Sequence, residues 1–283
     1  MGERKLRLPT FERVPDAIAV DLDGTLLNSH TRLSERNRAA IEACVRRGIP
    51  VVVATSRPAR TARRALGEVA DICSLVIMNG AVGRAAPPLA GAVRETFPER
   101  VARDVVELIL GIEPEARLTV ELEGWEFGRN WDSNPEELWR INAATPDMVM
   151  TVEEALMRAP AKIAASRGGK DVSDLAAAVS RRYADVVSVV SSNDMTFLNI
   201  LSVRASKSRT LARLLASRDI SLDYVLAFGD DIPDLDLLEA CGIPVAVANA
   251  VPEVLAVANY CTTSNDEDGV AVVLERMLGA IEK

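Results

Sequence analysis

The sequence contains one histidine, His30. A single imidazole cannot build a multi-histidine zinc site, an HExxH metalloprotease helix or a two-histidine facial triad. A Ser-His-Asp site would have to use His30, and no GxSxG elbow is present. Cysteine is sparse as well. Cys44, Cys73, Cys241 and Cys261 form no CxxC pair, and each sits in an apolar segment, the pattern of small buried thiols in a reducing compartment. No apolar run reaches the ~18 residues of a membrane span. The segment MGERKLRLPTFERVPD is charged where a signal peptide needs an apolar core, and Leu6 stands where a myristoylation motif needs Ser or Thr. Positive charge is in deficit, with 33 Lys and Arg against 41 Asp and Glu and a net charge of −8. No global basic field therefore attracts nucleic acid or anionic lipid. These absences predict a cytoplasmic protein that acts on a small molecule and has neither nucleic acid nor membrane as partner; a monomer or homodimer is expected, though no residue pattern points to either.

What is present is a regular rhythm. At ~150 residues per domain, 283 residues suggest about two domains, and 48% hydrophobic content suffices for a sizeable core. AIAV (17–20), IPVVVAT (49–55) and SLVIM (74–78) read as strands buried on both faces. Between them lie a helix opened by Ser34 and closed by Gly48, and another from Pro58 to about Ala70. After a break the rhythm returns, with a helix at Lys207–Ser217, YVLAF (224–228), a helix at Pro233–Ala240, IPVAVA (243–248) and helices at Pro252–Ala258 and from Glu267 to about Gly279. Repeated strand–helix units imply an α/β, doubly wound, parallel-sheet, Rossmann-like core. The interruption, residues 83–203, holds all three tryptophans, a helix near 98–110, a hairpin pattern in RLTVELEGWEFGR (117–129), a helix from Val172 to Tyr183 and the strand-like runs AKIAAS, VVSVVSS and MTFLNIL. It reads as an inserted α+β domain, which leaves residues 1–82 and 204–283 as a discontinuous core.

The sharpest chemical signal is Asp21-Leu22-Asp23-Gly24-Thr25, directly after a buried strand. In open α/β sheets ligands bind at the carboxyl ends of the strands. Two carboxylates two residues apart there repel one another unless a cation or proton lies between them, and Mg²⁺, a hard ion with oxygen ligands, suits them. Gly24 allows a sharp turn and close approach to an anion. A second acidic string, Gly229-Asp230-Asp231-Ile232-Pro233-Asp234, ends YVLAF. If the two strands are neighbours, their carboxylates can share one metal; Asp231 and Asp234 could equally cap the following helix. Thr55, after VVVA, can donate to a phosphoryl oxygen. Lys207, at a helix start, can neutralise the same charge.

In this order DLDGTLL, the strand end at Thr55, Lys207 and GDDIPD resemble the four motifs of the haloacid dehalogenase superfamily. The similarity is to its Cof-type phosphatases, which carry a large cap between the second and third motifs. It extends to Asn79-Gly80, VAVANA (245–250) and SNDEDGVA (264–271). The resemblance implies Asp21 as nucleophile, Asp23 as general acid and base, and Thr55 and Lys207 as holders of the transferring phosphoryl group. It implies Mg²⁺ held by Asp21, the Asp23 carbonyl and Asp230, with Asp234 supporting the metal through its water shell. Leu22, Gly24, Ser56, Arg57, Asn79 and Gly80 fall at positions that surround the substrate. Asp23, two residues after the nucleophile, is the mark of phosphatases and phosphomutases rather than dehalogenases. The expected activity is Mg²⁺-dependent hydrolysis of a small phosphorylated metabolite, such as a sugar phosphate, through an aspartyl-phosphate; a phosphomutase or a non-catalytic binding protein on this scaffold are the alternatives. Two departures stand out: Pro233 replaces the usual Asn of the fourth motif, and Ser56 precedes Arg57 where Gly-Arg is usual. In the cap, Arg129, Asn130, Trp131 and Asp132 are candidate substrate contacts or simply hairpin packing. Lys162 and Arg167 could meet a phosphorylated or acidic substrate but, as lone charges, are expected to face solvent; His30 is expected on the surface, near enough to the site's mouth for a minor substrate role.

Overall fold

The computed structural model describes residues 6–98, 100–191 and 195–281. Contacts divide the chain into two compact units, one of residues 1–56, 62–93 and 206–283, the other of residues 57–61 and 94–205. Against the sequence expectation, residues 83–93 fall with the first unit and residues 57–61 with the second. The physical reason for the first difference is strand pairing: residues 82–84 add a strand to the core sheet antiparallel to residues 75–77.

The strands in chain order are β1 (Ala17–Val20), β2 (Val51–Ala54), β3 (Ser74–Ile77), β4 (Val82–Arg84), β5 (Ala92–Arg94), β6 (Arg117–Glu121), β7 (Phe127–Arg129), β8 (Val149–Thr151), β9 (Lys162–Ser166), β10 (Val187–Ser191), β11 (Phe197–Ser202), β12 (Val225–Gly229), β13 (Ile243–Ala246) and β14 (Tyr260–Cys261). The core sheet runs β14-β13-β12-β1-β2-β3-β4-β5. Pairing is parallel from β14 to β3. In β1, Ala17 and Ala19 pack into a cluster with Leu211, Leu214, Leu237 and Leu238. Ile18 and Val20 alternate to the other face and are equally buried. Burial on both faces explains why these strands read as continuous apolar runs. Ser34 caps the helix Glu35–Arg46, its hydroxyl accepting from the Asn37 amide. The single helix expected from Pro58 to about Ala70 is in fact two short ones, Ala59–Leu66 and Val69–Ile72.

The second unit has its own sheet, ordered β10-β11-β9-β6-β7-β8 and antiparallel except for β7 with β8. On one face Leu118, Val120, Ile163, Ala165, Leu198 and Ile200 pack against Val105, Val106 and Ile109 of helix Val101–Ile112 and Leu175 and Val179 of helix Ser173–Tyr183. Register places Glu121 opposite Lys162 on the other face. No helix among the described residues is long and apolar enough to cross a membrane.

Candidate active site

Two neighbouring strand tips define the site. Val20 pairs with Phe228 in parallel register, so Asp21 and Gly229-Asp230 leave the sheet at the same end. The Asp21 amide donates to the Phe228 carbonyl at 3.1 Å, which holds the two exits together. Asp21, Asp230 and Asp234 each present a carboxylate oxygen within 4.8 Å of the others. Three carboxylates meet here because β12, remote in sequence, is the immediate neighbour of β1.

Lys207 sits among them. Its Nζ donates to Asp21 Oδ1 and to Asp234 Oδ1, both at 2.6 Å, and the residue is only 2% exposed. Burial opposes its charge, but Asp21 and Asp234 outweigh that and raise its pKa. The lysine is delivered by the first turn of helix Lys207–Leu215. Ser206 caps this helix, accepting from the Arg209 amide while donating to Asp236 Oδ2 at 2.6 Å. Thr210 of the same helix donates to the Gly80 carbonyl at 2.7 Å. Gly80 has φ +89°, and a Cβ there would lie 2.1 Å from the Ser206 carbonyl oxygen, so only glycine lets the loop after β3 meet this helix start.

Asp234 does two jobs. While Oδ1 holds Lys207, Oδ2 accepts from the amides of Asp230 and Asp231 at 3.0 and 3.3 Å. Its oxygens are thus taken up by the lysine and the loop backbone. Asp234 also lies in the group of three carboxylates that could hold a metal ion. Asp231 caps the short turn that follows, as the alternative reading allowed. Asp230 Oδ1 accepts from the Thr25 hydroxyl at 2.6 Å. Gly24, with φ +80°, packs so closely on Asp230 that a Cβ would fall 2.3 Å from its Oδ2. Thr25 stood at the end of the Asp21–Thr25 string but received no role of its own in the sequence; its place directly after Asp-Gly was the signal available.

Charge balance sets the chemistry. Burial, with Asp234 as the next cause, drives the Asp21 carboxyl well above the usual range despite Lys207. Burial pushes Asp230 up to about 7. Carboxylates that disfavour one another's ionisation in a buried place form a donor set that fits a hard divalent cation. Asp21 and Asp230 have the oxygens to hold one, with Asp234 beside them.

The remaining candidates are placed as follows. Thr55 is buried at the tip of β2, its amide bonded to the Val76 carbonyl at 2.8 Å, and Asn79 donates from its own amide to the Thr55 carbonyl at 3.0 Å. Asp23 is half-buried in the turn after β1, with Ser56 half-buried beyond Thr55. Leu22 is sealed in the core, which leaves only its main chain for any ligand. The Arg57 guanidinium donates to the Thr61 carbonyl at 3.5 Å within the second unit. His30 is exposed as expected. In the second unit Asn130 bonds the backbone of Leu118 and Ala116, and the Trp131 indole donates to Thr119, so both serve hairpin packing. Arg129 stacks over Trp131 and donates to Ser133. Lys162 and Arg167 correct the sequence expectation. Lys162 is buried opposite Glu121, and Arg167 is engaged by Asp174 and Glu113. Asn249 and Asn265 received no role in the sequence although they lie in VAVANA and SNDEDGVA; their contacts are tertiary.

A family model for haloacid dehalogenase-like hydrolases matches residues 18–274. The chain is 26% identical to the Bacillus subtilis 5-amino-6-(5-phospho-D-ribitylamino)uracil phosphatase YitU, over 94% of this chain and 98% of that one. It is 26% identical to the phosphoglycolate phosphatase of Methanothermobacter thermautotrophicus, over 93% and 99%. The crystal structure of TM0651 from Thermotoga maritima matches with a TM-score of 0.77 at 25% identity, covering 93% of this chain and 97% of that one. The chain belongs to the haloacid dehalogenase-like hydrolases, in their Cof-type phosphatase branch.

Proposed function

We propose that the protein hydrolyses a small phosphorylated metabolite with Asp21 as nucleophile, and that a Mg²⁺ ion held by Asp21, Asp230 and the Asp23 carbonyl is required. The observation that carries this reading is the buried Asp21 carboxylate, oriented by Lys207 through one oxygen and set beside Asp230 at the open end of a parallel sheet. The bound cation would offset the repulsion between carboxylate and phosphate and polarise the phosphoryl oxygens.

The other Asp21 oxygen attacks phosphorus in line, forming an O–P bond as the ester O–P bond breaks. Asp23, as the acid, gives its proton to the departing alkoxide. The resulting Asp23 carboxylate then takes a proton from water, whose oxygen attacks the aspartyl-phosphate. Cleavage of the Asp21–phosphorus link frees inorganic phosphate and restores both residues. Lys207 and the Thr55 hydroxyl hold the transferring group, and positioning with electrostatics accounts for most of such catalysis. Relatives named for phosphoglycolate and for a phosphoribityl compound support a small phosphomonoester as substrate.

The test is phosphate release from p-nitrophenyl phosphate and acetyl phosphate with Mg²⁺, followed by a screen of phosphorylated metabolites. Activity is expected to vanish with EDTA, and beryllofluoride to inhibit by occupying the place of the phosphoryl group on Asp21. Turnover that persists in EDTA would remove the metal from the reading; indifference to beryllofluoride would count against the covalent route.

A further inference from the structure

We propose that Asn249 is a positioning residue that sets the spacing of the two acidic strand tips for cation binding. This role rests on the reading of Asp21 and Asp230 as metal ligands. Asn249 lies just beyond β13, which is separated from β1 by β12. Its side chain crosses that interval. Nδ2 donates to the Gly24 carbonyl at 2.8 Å, and Oδ1 accepts from the Asn265 amide at 2.9 Å. The partners fix the orientation of the amide, because a main-chain N–H can only donate and a carbonyl can only accept.

The same segment grips the tip it crosses. The Val251 amide donates to the Asp230 carbonyl at 2.8 Å, and the Val247 amide to the Gly229 carbonyl at 3.4 Å. Residues 247–251 therefore hold Asp230 by its backbone and hold the Asp23-Gly24 turn through one side chain. Gly24 in turn abuts the Asp230 carboxylate. The far side of the turn is fixed by other side chains: Asn265 Nδ2 donates to the Leu27 carbonyl at 2.9 Å, and Asn37 Nδ2 to the Leu26 carbonyl at 3.0 Å. Asn249 thus links the turn carrying Asp23 to the segment that clamps Asp230, beside the direct bond from the Thr25 hydroxyl to Asp230.

Asn249 is exposed, unlike Asn37 and Asn265. Its two hydrogen bonds, made at an exposed position, add little to stability. What they fix is geometry, and partners that orient metal ligands change metal affinity by roughly 10- to 100-fold when lost. The test uses the full chain with Asn249→Ala and Asn249→Leu, the second keeping side-chain volume without polar atoms. Mn²⁺ binding to metal-free protein is read by titration calorimetry and electron paramagnetic resonance, Tm by calorimetry, and kcat and KM with p-nitrophenyl phosphate. Both variants are expected to bind Mn²⁺ roughly tenfold more weakly, to lose kcat more than KM at limiting metal, and to keep Tm within a few degrees. Wild-type Mn²⁺ affinity in both variants would overturn the role of Asn249 alone, as would a large fall in Tm with affinity intact. A wild-type protein that binds no Mn²⁺ would overturn this role together with the metal site on which it rests.

Discussion

The protein buries two clusters of charge, one in each unit, and they are balanced in opposite ways. At the tips of β1 and β12, three carboxylates, Asp21, Asp230 and Asp234, gather around one ammonium, Lys207. In the second unit two cations, Arg60 and Lys162, gather around one carboxylate, Glu121. Arg60 pairs with Glu121 through two bonds of 2.6 and 2.7 Å, donates further to the carbonyls of Asn142, Gly124 and Trp125, and stacks over Phe127. That pair meets the needs of a buried arginine internally. The surplus there falls on Lys162, whose pKa burial drives down to about 8. The surplus at the strand tips falls on Asp21 and Asp230, whose pKa values rise. A surplus of one positive charge can be shed as a proton near neutral pH. A surplus of negative charge on oxygen atoms at a sheet end instead suits the metal ion proposed above.

The contrast is sharpest at Asp21. Asp21→Asn preserves shape but removes the proposed nucleophile, and phosphate release is expected to fall by at least on the order of 10³-fold with an unchanged circular dichroism spectrum. Substantial turnover in this variant would break the assignment of chemistry to the first cluster. Asp23→Asn is expected to cost roughly 10²- to 10⁴-fold, visible in both formation and hydrolysis of the phosphoenzyme by rapid quench.

The second cluster should answer in stability instead. Glu121→Gln leaves Arg60 and Lys162 buried without their carboxylate and is expected to lower unfolding free energy by about 3–5 kcal/mol in urea titrations. An effect below ~1 kcal/mol would show that the backbone carbonyls alone satisfy Arg60.

The pH response follows from Lys162. Between about 8 and its ordinary 10.5 the unfolded chain binds a proton that the folded chain does not. The lysine's contribution to stability therefore rises as pH climbs through that window, by roughly 3 kcal/mol in all. The thiols of Cys44, Cys73 and Cys241, pushed up to about 12 by burial, act in the opposite direction above their ordinary 9.0. The informative quantity is thus the wild-type stability minus that of Lys162→Met, measured at pH 7.5 and 10. A flat difference would mean that Lys162 titrates normally. The smallest change is expected at the surface, where Arg36 and Glu275, each 47% exposed, pair at 2.6 Å. Arg36→Ala should cost ~0–1 kcal/mol, less at high salt.

Much of the core was legible because its signals are local. AIAV, VVVA and SLVI are short apolar runs that a doubly buried strand demands, and Ser34 and Ser206 announce helix starts by side-chain chemistry. Asp21 and Asp230 were visible because polar residues that directly follow such strands lie at the ligand-binding end. The burial of Lys207 was not visible. A lysine at a helix start is ordinarily solvated, and only the docking of that helix beside Asp21 and Asp234 removes it from water. Lys162 was misplaced for the same reason: its partners Glu121 and Arg60 are 41 and 102 residues away in sequence (162 − 121 and 162 − 60), brought near by strand register and by the 57–61 segment. Asn249 carried no local sign at all, since the carbonyl it holds belongs to Gly24.

The sequence by itself determined which segments become buried strands, where helices begin, and which acidic residues stand at strand ends, because periodicity, capping and turn chemistry act over a few neighbouring residues. Only the tertiary structure decided that β12 lies beside β1, that one ammonium is shared between Asp21 and Asp234, and that an asparagine beyond β13 reaches the turn after β1. Most of these contacts join distant parts of the chain: 186 residues separate Lys207 from Asp21 and 225 separate Asn249 from Gly24. Their formation depends on how sheet order and helix packing close the core, which no local pattern encodes.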